Sequence, residues 1–293
     1  MNAIRVADLP AILGVTPPYL RALARSAPEL YEPRTYRDGN SEPRELLVPS
    51  AALKEVQRRI HERILRSLPV HPCVHSARGR SIISNAEQHV GHPYLSRFDI
   101  RHAFPSVGPH RVRAALERAG FARDVANLLM CLTTVEHELP QGAPTSPALL
   151  NAVLVDFDRK IVAVARGSGL SYSRYVDDLY LSGGARTVNL ARTVEKIARA
   201  HQLTLHPGKR FDWGPRERHS VTNIVVNTTP SPLPEYTESV ERTIARHRCG
   251  AEVLNAKQIE QLLGKIAFVT SVNADIGERL AGLLVADDAA ITT

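Results

Sequence analysis

Residues 171–183 read SYSRYVDDLYLSG, and the fold turns on them. Short runs rich in aromatic residues and leucine flank Val176-Asp177-Asp178, so the pattern predicts strand, tight turn, strand, with both acids at the tip. A lone Asp-Asp pair reads most simply as a polar turn. The reading changes because RFDIRHAFPSV, residues 97–107, places a third acid, Asp99, at the end of another predicted strand. Three carboxylates within about 4 Å repel by roughly 1–4 kcal/mol per pair, depending on the effective dielectric. Divalent cations relieve that cost, and magnesium suits an oxygen-only site completed by water and phosphates. Two such ions stabilise the attacking and the leaving oxygen of an in-line displacement.

Upstream of the hairpin lies LPQGAPTSPALLN, residues 139–151. Gly142 permits close backbone approach, and Gln141 offers both a donor and an acceptor. Pro144 and Pro147 stiffen the entry to a helix, whose N-terminus favours anionic groups. One long helix is predicted from Ala148 to Ala165. Further out, Asp8 to Ala24 reads as two short helices around Gly14, with Thr16 as N-cap and Pro17 at the first helical position. This segment suits a helical lead-in that packs on the next unit better than a DNA-reading helix-turn-helix. Residues 31–49 read as a hairpin turning at Asp38-Gly39-Asn40, with Arg37 and Arg44 on either side. Ser50 then opens a helix whose apolar positions are Leu53, Val56, Ile60 and Ile64. After the hairpin come a helix from Leu190 to His201 and strand-prone runs in LTLHPGKRFDW and HSVTNIVVNTT. Three prolines between Pro230 and Pro234 mark a boundary, and from Glu235 the pattern is helical. There Tyr236, Val240 and Ile244 share one face, as do Ile259, Leu262, Leu263 and Ile266.

The 293 residues suit two closely packed units, and 43% hydrophobic content suffices for a sizeable core. The charge is +7, from 37 Lys and Arg against 30 Asp and Glu. That excess suits phosphate contacts without demanding them. Cys73, Cys131 and Cys249 are too scattered for a zinc ribbon and suit a reducing cytoplasm. No signal peptide or membrane span is expected.

The order FDIRHAF, LPQGAPTSP, YVDD, HPGK is similar to the successive palm motifs of reverse transcriptases, and NAEQH, residues 85–89, resembles the NAxxH pattern of retron enzymes. Val221-Thr222-Asn223 resembles the retron VTG motif, with Asn in place of Gly. LLGKIAFVTSVNADIGERL, residues 262–280, looks like the retron thumb. The resemblance implies an α+β right-hand polymerase fold: fingers, a palm with an antiparallel sheet flanked by helices, and a helical thumb. Residues 1–229 would form fingers and palm, with a lead-in over 1–30, and residues 230–293 the thumb.

Carried over residue by residue, Asp99, Asp177 and Asp178 would be catalytic and, with the Ile100 carbonyl, hold two magnesium ions. Arg37, Arg44, Gln141, Gly142 and Lys209 would meet the incoming deoxynucleotide. Phe104 would lie under its sugar and exclude a 2′-hydroxyl. Asn85, His89, Thr222, Asn223, Arg242, Arg246 and Arg248 would contact RNA. The implied activity is that of an RNA-directed DNA polymerase, a nucleotidyltransferase. It would copy a cognate structured noncoding RNA into a branched RNA–DNA hybrid (msDNA), in antiphage defence. Template removal would fall to host RNase H and toxicity to a separate effector protein, since the chain ends shortly after the thumb. Two alternatives are another bacterial reverse transcriptase (diversity-generating, intron or abortive-infection type) and a non-catalytic nucleic-acid-binding scaffold. NAEQH argues against the first, and three retained, mutually repelling acids against the second.

Overall fold

The computed structural model describes residues 4–37 and 43–285. The chain opens with helices α1 (Leu9–Leu13) and α2 (Pro17–Ser26). Gly14 ends α1 in the left-handed conformation, φ 64°, and the Thr16 hydroxyl caps α2 by accepting from the Tyr19 amide. Leu9, Leu13, Leu20 and Leu23 are buried in the main core. Strands β1 (Tyr31–Tyr36) and β2 (Arg44–Pro49) pair antiparallel, and α3 (Ala51–Arg63) follows. The expected turn at Asp38-Gly39-Asn40 lies outside the described residues. From α3, Arg59 donates to the Leu13 and Gly14 carbonyls and Arg63 to that of Ile12. The lead-in is thereby tied to the body. Ser50 sits at the N-cap of α3 but its hydroxyl makes no capping bond.

Helix α4 (Ile82–Glu87) precedes β3 (Tyr94–Asp99), and helices α5 (Pro109–Arg118) and α6 (Arg123–Thr133) follow it. The predicted long helix from Ala148 is two, α7 (Ser146–Val153) and α8 (Val155–Gly167). Leu154, with ψ 2°, breaks the helical geometry between them. Strands β4 (Leu170–Tyr175) and β5 (Asp178–Gly183), helix α9 (Ala191–Ala200) and strand β6 (Phe211–Trp213) complete a four-stranded antiparallel sheet of order β4-β5-β3-β6. The two-residue strands β7 (Ser220–Val221), β8 (Ile224–Val225) and β9 (Ser231–Pro232) form a small third sheet. Its edge strand carries Pro232, which a central strand would not accept.

The two faces of the four-stranded sheet differ because strand side chains alternate. Phe98, Leu170, Tyr172, Leu179 and Leu181 point into the main core, built with α5–α9 residues such as Val112, Leu150, Phe157, Ile161 and Val194. Leu95 and Tyr180 belong to the other face, where they pack with Ala86, Val221 and Ile224. Helices α10 (Pro234–Arg248), α11 (Ala256–Val272) and α12 (Ala274–Val285) enclose their own core of Val240, Ile244, Leu262, Ile266, Val269 and Leu280. Leu263, expected on that inner face, is half exposed. Leu263 lies about 100° around the helix from Leu262, and here that turn carries it out of the buried stripe. Phe268 of α11 also touches the cluster under the small sheet.

Candidate active site

Register places the acids. Strand β3 runs antiparallel to β5 with Asp99 opposite Asp178, and β4 pairs with β5 so that Tyr175 faces Asp178. Only Val176 and Asp177 remain to span the turn. Val176 has φ 56°, a conformation costly for a β-branched residue. The Ile100 amide donates to the Asp177 carbonyl at 2.9 Å, fastening the end of β3 to the turn. All three acids named from sequence therefore lie at one end of the sheet, Asp99 and Asp178 on the face that also carries Arg97.

Two cations engage them. Arg97 donates to Asp178 Oδ1 from Nε at 2.9 Å and lies 2.8 Å away through Nη2. Lys209 Nζ stands 3.3 Å from Asp99 Oδ2. Tyr180 donates to the other Asp178 oxygen at a long 3.4 Å, and its own hydroxyl accepts from the Thr222 amide at 3.1 Å. Burial, then the charge of Asp178, pushes the Asp177 carboxyl up to about 6. Burial also raises Asp178, against the opposing pull of Arg97. These are the effects expected when like charges crowd in a poorly solvated place.

Among the described residues no three His, Cys, Asp or Glu side chains already converge as a metal-ligand group. Asp99 and Asp178 are turned towards Lys209 and Arg97. The donor set nevertheless fits a hard divalent cation, being oxygen-only, with burial and then the neighbouring acid raising the Asp177 carboxyl. Asp99, Asp177 and Asp178 are the residues that would hold it.

The remaining sequence-named residues are spread around this end. The Leu47 amide donates to the Gln141 carbonyl at 3.0 Å, so β2 is fixed to the loop before α7. Gly142 has φ 120°, and a Cβ there would stand 3.4 Å from the Leu47 carbonyl oxygen. Only glycine accepts that backbone comfortably. Phe104 is partly buried and packs against the main core. Arg37 is exposed at the end of β1, and the Arg44 side chain lies outside the described residues. Arg242, Arg246 and Arg248 are exposed along α10, with Arg246 paired to Glu252 at 3.2 Å. Thr222 and Asn223 form the β7–β8 turn with φ 46° and 64°, so asparagine does take the left-handed place expected of it.

Asn85 and His89 are different, because both are fully buried. Their side chains have no surface to offer an RNA in this arrangement. His89 instead bridges the strands of the β4–β5 hairpin, with Nδ1 2.6 Å from Ser182 Oγ and Nε2 2.7 Å from Ser173 Oγ. Burial, then His92 and His75, pushes its pKa down to about 3, so it is neutral and serves one hydroxyl as donor and the other as acceptor.

Sequence reasoning missed the supports: Arg97, Arg174, Asp158, Asn151 and Ser76. A signal existed for Arg174. It alternates with Leu170 and Tyr172, which puts a charge on a core-facing strand face, and a buried charge requires a partner.

The reverse transcriptase (RNA-dependent DNA polymerase) family matches residues 36–216. The chain is 30% identical over 270 residues to the retron Mx162 reverse transcriptase of Myxococcus xanthus, covering 80% of this chain and 55% of that one. It is 34% identical over 258 residues to the retron Mx65 reverse transcriptase of the same organism, covering 80% and 60%. It thus spans little more than half the length of these relatives. A structure of telomerase from Candida albicans superposes with a TM-score of 0.50 at 9% identity, covering 86% of this chain and 56% of that one, a likeness of fold alone. With the in-register acids and these matches together, the chain belongs to the reverse transcriptase family, and the relatives it resembles are retron enzymes.

Proposed function

We propose that the chain is an RNA-directed DNA polymerase that copies a cognate structured noncoding RNA into msDNA, a branched RNA–DNA hybrid. The observation that carries this reading is the register of β3 on β5, which sets Asp99 against Asp178 with Asp177 beside them. Two magnesium ions, when bound there, supply electrostatic stabilisation to a phosphoryl transfer. The chain's own residues position and exclude. Asp99, Asp177 and Asp178 present carboxylate oxygens, and Arg97 and Lys209 hold two of those carboxylates in place. Residues 1–229 act as fingers and palm and residues 230–293 as thumb. Arg37 and Arg44, on the β1–β2 hairpin, reach the triphosphate of an incoming deoxynucleotide. Gln141 and Gly142 line its pocket, and Phe104 excludes the ribose 2′-hydroxyl.

RNA binds by charge. Arg242, Arg246 and Arg248 on α10 neutralise phosphates, and Thr222 with Asn223 at an exposed turn meets the folded RNA. His89 serves from inside by bridging the strands of the hairpin, while the buried Asn85 side chain makes no hydrogen bond there. Partners are the noncoding RNA with its DNA product, host RNase H, and a separate effector protein in antiphage defence, all in the cytoplasm. No helix among the described residues is long and apolar enough to cross a membrane.

The test is to purify the protein and characterise the nucleic acid it carries. A structured RNA joined covalently to a discrete short DNA is expected, with RNase treatment leaving the DNA. Release should steepen with salt, as loss of condensed counterions requires. Heterogeneous cellular RNA without DNA would contradict the retron product and favour another reverse transcriptase activity.

A further inference from the structure

Arg174 is a fully buried charge beside the catalytic turn, on the opposite face of the sheet from Asp99 and Asp178. Its side chain points towards α7 and α8. Nε donates to Asp158 Oδ1 at 2.9 Å and Nη2 to Asp158 Oδ2 at 2.8 Å. Tyr172 donates to the same carboxylate at 3.0 Å. Both Asp158 oxygens are thus satisfied by Tyr172 and by two of the three guanidinium nitrogens.

The third nitrogen is directed elsewhere. Nη1 donates to Asn151 Oδ1 at 3.0 Å and to the Val176 carbonyl at 2.7 Å. Val176 is the residue held at φ 56°. Its amide donates to Ser76 Oγ at 3.1 Å, so the strained peptide is gripped at both ends. The strand under it is fixed too: the Arg174 amide donates to the Cys73 carbonyl and the Arg174 carbonyl accepts from the His75 amide, each at 2.8 Å. A strained backbone persists only where its surroundings over-determine it. A planar five-donor fork can serve a carboxylate, an amide and a carbonyl at once; a lysine ammonium cannot match that geometry.

We propose that Arg174 is a positioning residue for the polymerase reaction: its guanidinium, seated on Asp158 and Asn151, holds the Val176 carbonyl so that the turn keeps Asp177 and Asp178 against Asp99. This rests on the polymerase reading above. Burial opposes the Arg174 charge, but the Asp158 carboxylate outweighs it and keeps the guanidinium ionised. The fork is therefore a constant part of the fold.

The test uses the full chain with its copurified nucleic acid in a primer-extension assay with magnesium. Arg174→Lys keeps the charge and loses the fork. Arg174→Met with Asp158→Leu replaces the pair by apolar groups, a change buried ion pairs often tolerate. Each variant is expected to fold, to keep KM for deoxynucleotide within about threefold, and to lose at least about tenfold in kcat, since small misplacements at a reacting centre are costly. Val176→Gly, added to Arg174→Lys, should restore at least about threefold in kcat, because glycine takes positive φ without a clamp. A merely structural ion pair would show neither the split between kcat and KM nor this rescue.

A folded variant with kcat within about threefold of wild type overturns the proposal. So does a kcat loss that only follows the folded fraction, or an Arg174→Lys protein that Val176→Gly does not improve. If neither variant folds, Arg174 serves the fold alone and the proposal fails. A wild-type protein inert in the same assay would instead overturn the polymerase reading itself.

Discussion

Two tight hairpins are linked through Tyr180, and they solve the same backbone problem differently. Val176-Asp177 joins β4 to β5, and Thr222-Asn223 joins β7 to β8. The second turn has positive φ at both residues, as a type I′ hairpin requires. Asn223 tolerates its place intrinsically, and Thr222 is held by its hydroxyl on the Ile82 carbonyl at 3.0 Å and its amide on Tyr180. The first turn has positive φ at Val176, where glycine is ordinarily chosen. Its conformation comes from outside: a buried arginine, a serine hydroxyl, and a histidine across its two strands. The turn with a left-handed valine carries the acids, and the turn with a left-handed asparagine carries an exposed tip. A site that must hold like charges together draws its precision from a second shell of buried polar groups.

The largest break in this comparison should come from Asp158→Ala. It strands the Arg174 charge inside the protein, at an expected cost of about 3–5 kcal/mol. Denaturant unfolding measures it. A cost under about 1 kcal/mol would mean that the β4–β5 hairpin needs no buried support.

His89→Ala comes next. It leaves the Ser173 hydroxyl short of a partner, at about 1–3 kcal/mol, while Ser182 keeps His92. Below its lowered melting temperature, the variant should bind RNA as wild type does. Weakened RNA binding at unchanged stability would instead place the imidazole at the RNA.

A smaller effect depends on pH. Asp177 is raised from 3.8 to about 6 in the fold, so the folded state holds its proton more tightly than the unfolded chain. Its stabilising contribution is full below pH 4 and lost as pH rises through 6. Asp177→Asn cannot lose it. In chelator, the melting temperature of this variant should gain on wild type by a few degrees between pH 4 and pH 7. A difference that is flat or shrinks over that window would contradict a crowded, buried carboxylate.

The smallest effect belongs to the other turn. Asn223→Gly should shift stability by less than about 1 kcal/mol, because both residues accept the left-handed place. A larger loss would show that the Asn223 side chain does more than permit the turn.

Much of this site was legible in the sequence because strand alternation and turn length are local properties. The spacing of YVDD between short strands put Asp177 and Asp178 at a tip, and FDI put Asp99 at a strand end. The positive φ of Asn223 followed from residue type. What the sequence concealed was long-range. Arg174 meets Asp158 sixteen residues away. Arg97 meets Asp178 only through the β3–β5 register. The motif containing Asn85 and His89 stood out as a pattern, but a pattern does not distinguish a residue that touches RNA from one that braces a hairpin. Burial distinguishes them, and burial depends on α4 lying over the sheet. The break at Leu154 was hidden for a related reason, since the apolar pattern runs through it without interruption.

The central claim is that three carboxylates brought together by β3 and the β4–β5 turn catalyse DNA synthesis on RNA. The most direct measurement is primer extension on an RNA template with magnesium, comparing wild type with Asp177→Ala/Asp178→Ala, beside a melting curve for each. The account predicts extension by wild type and none by the double variant, with the fold and RNA binding retained. Synthesis by the folded double variant above about one per cent of wild type, a loss of less than about 3 kcal/mol in transition-state stabilisation, would contradict it.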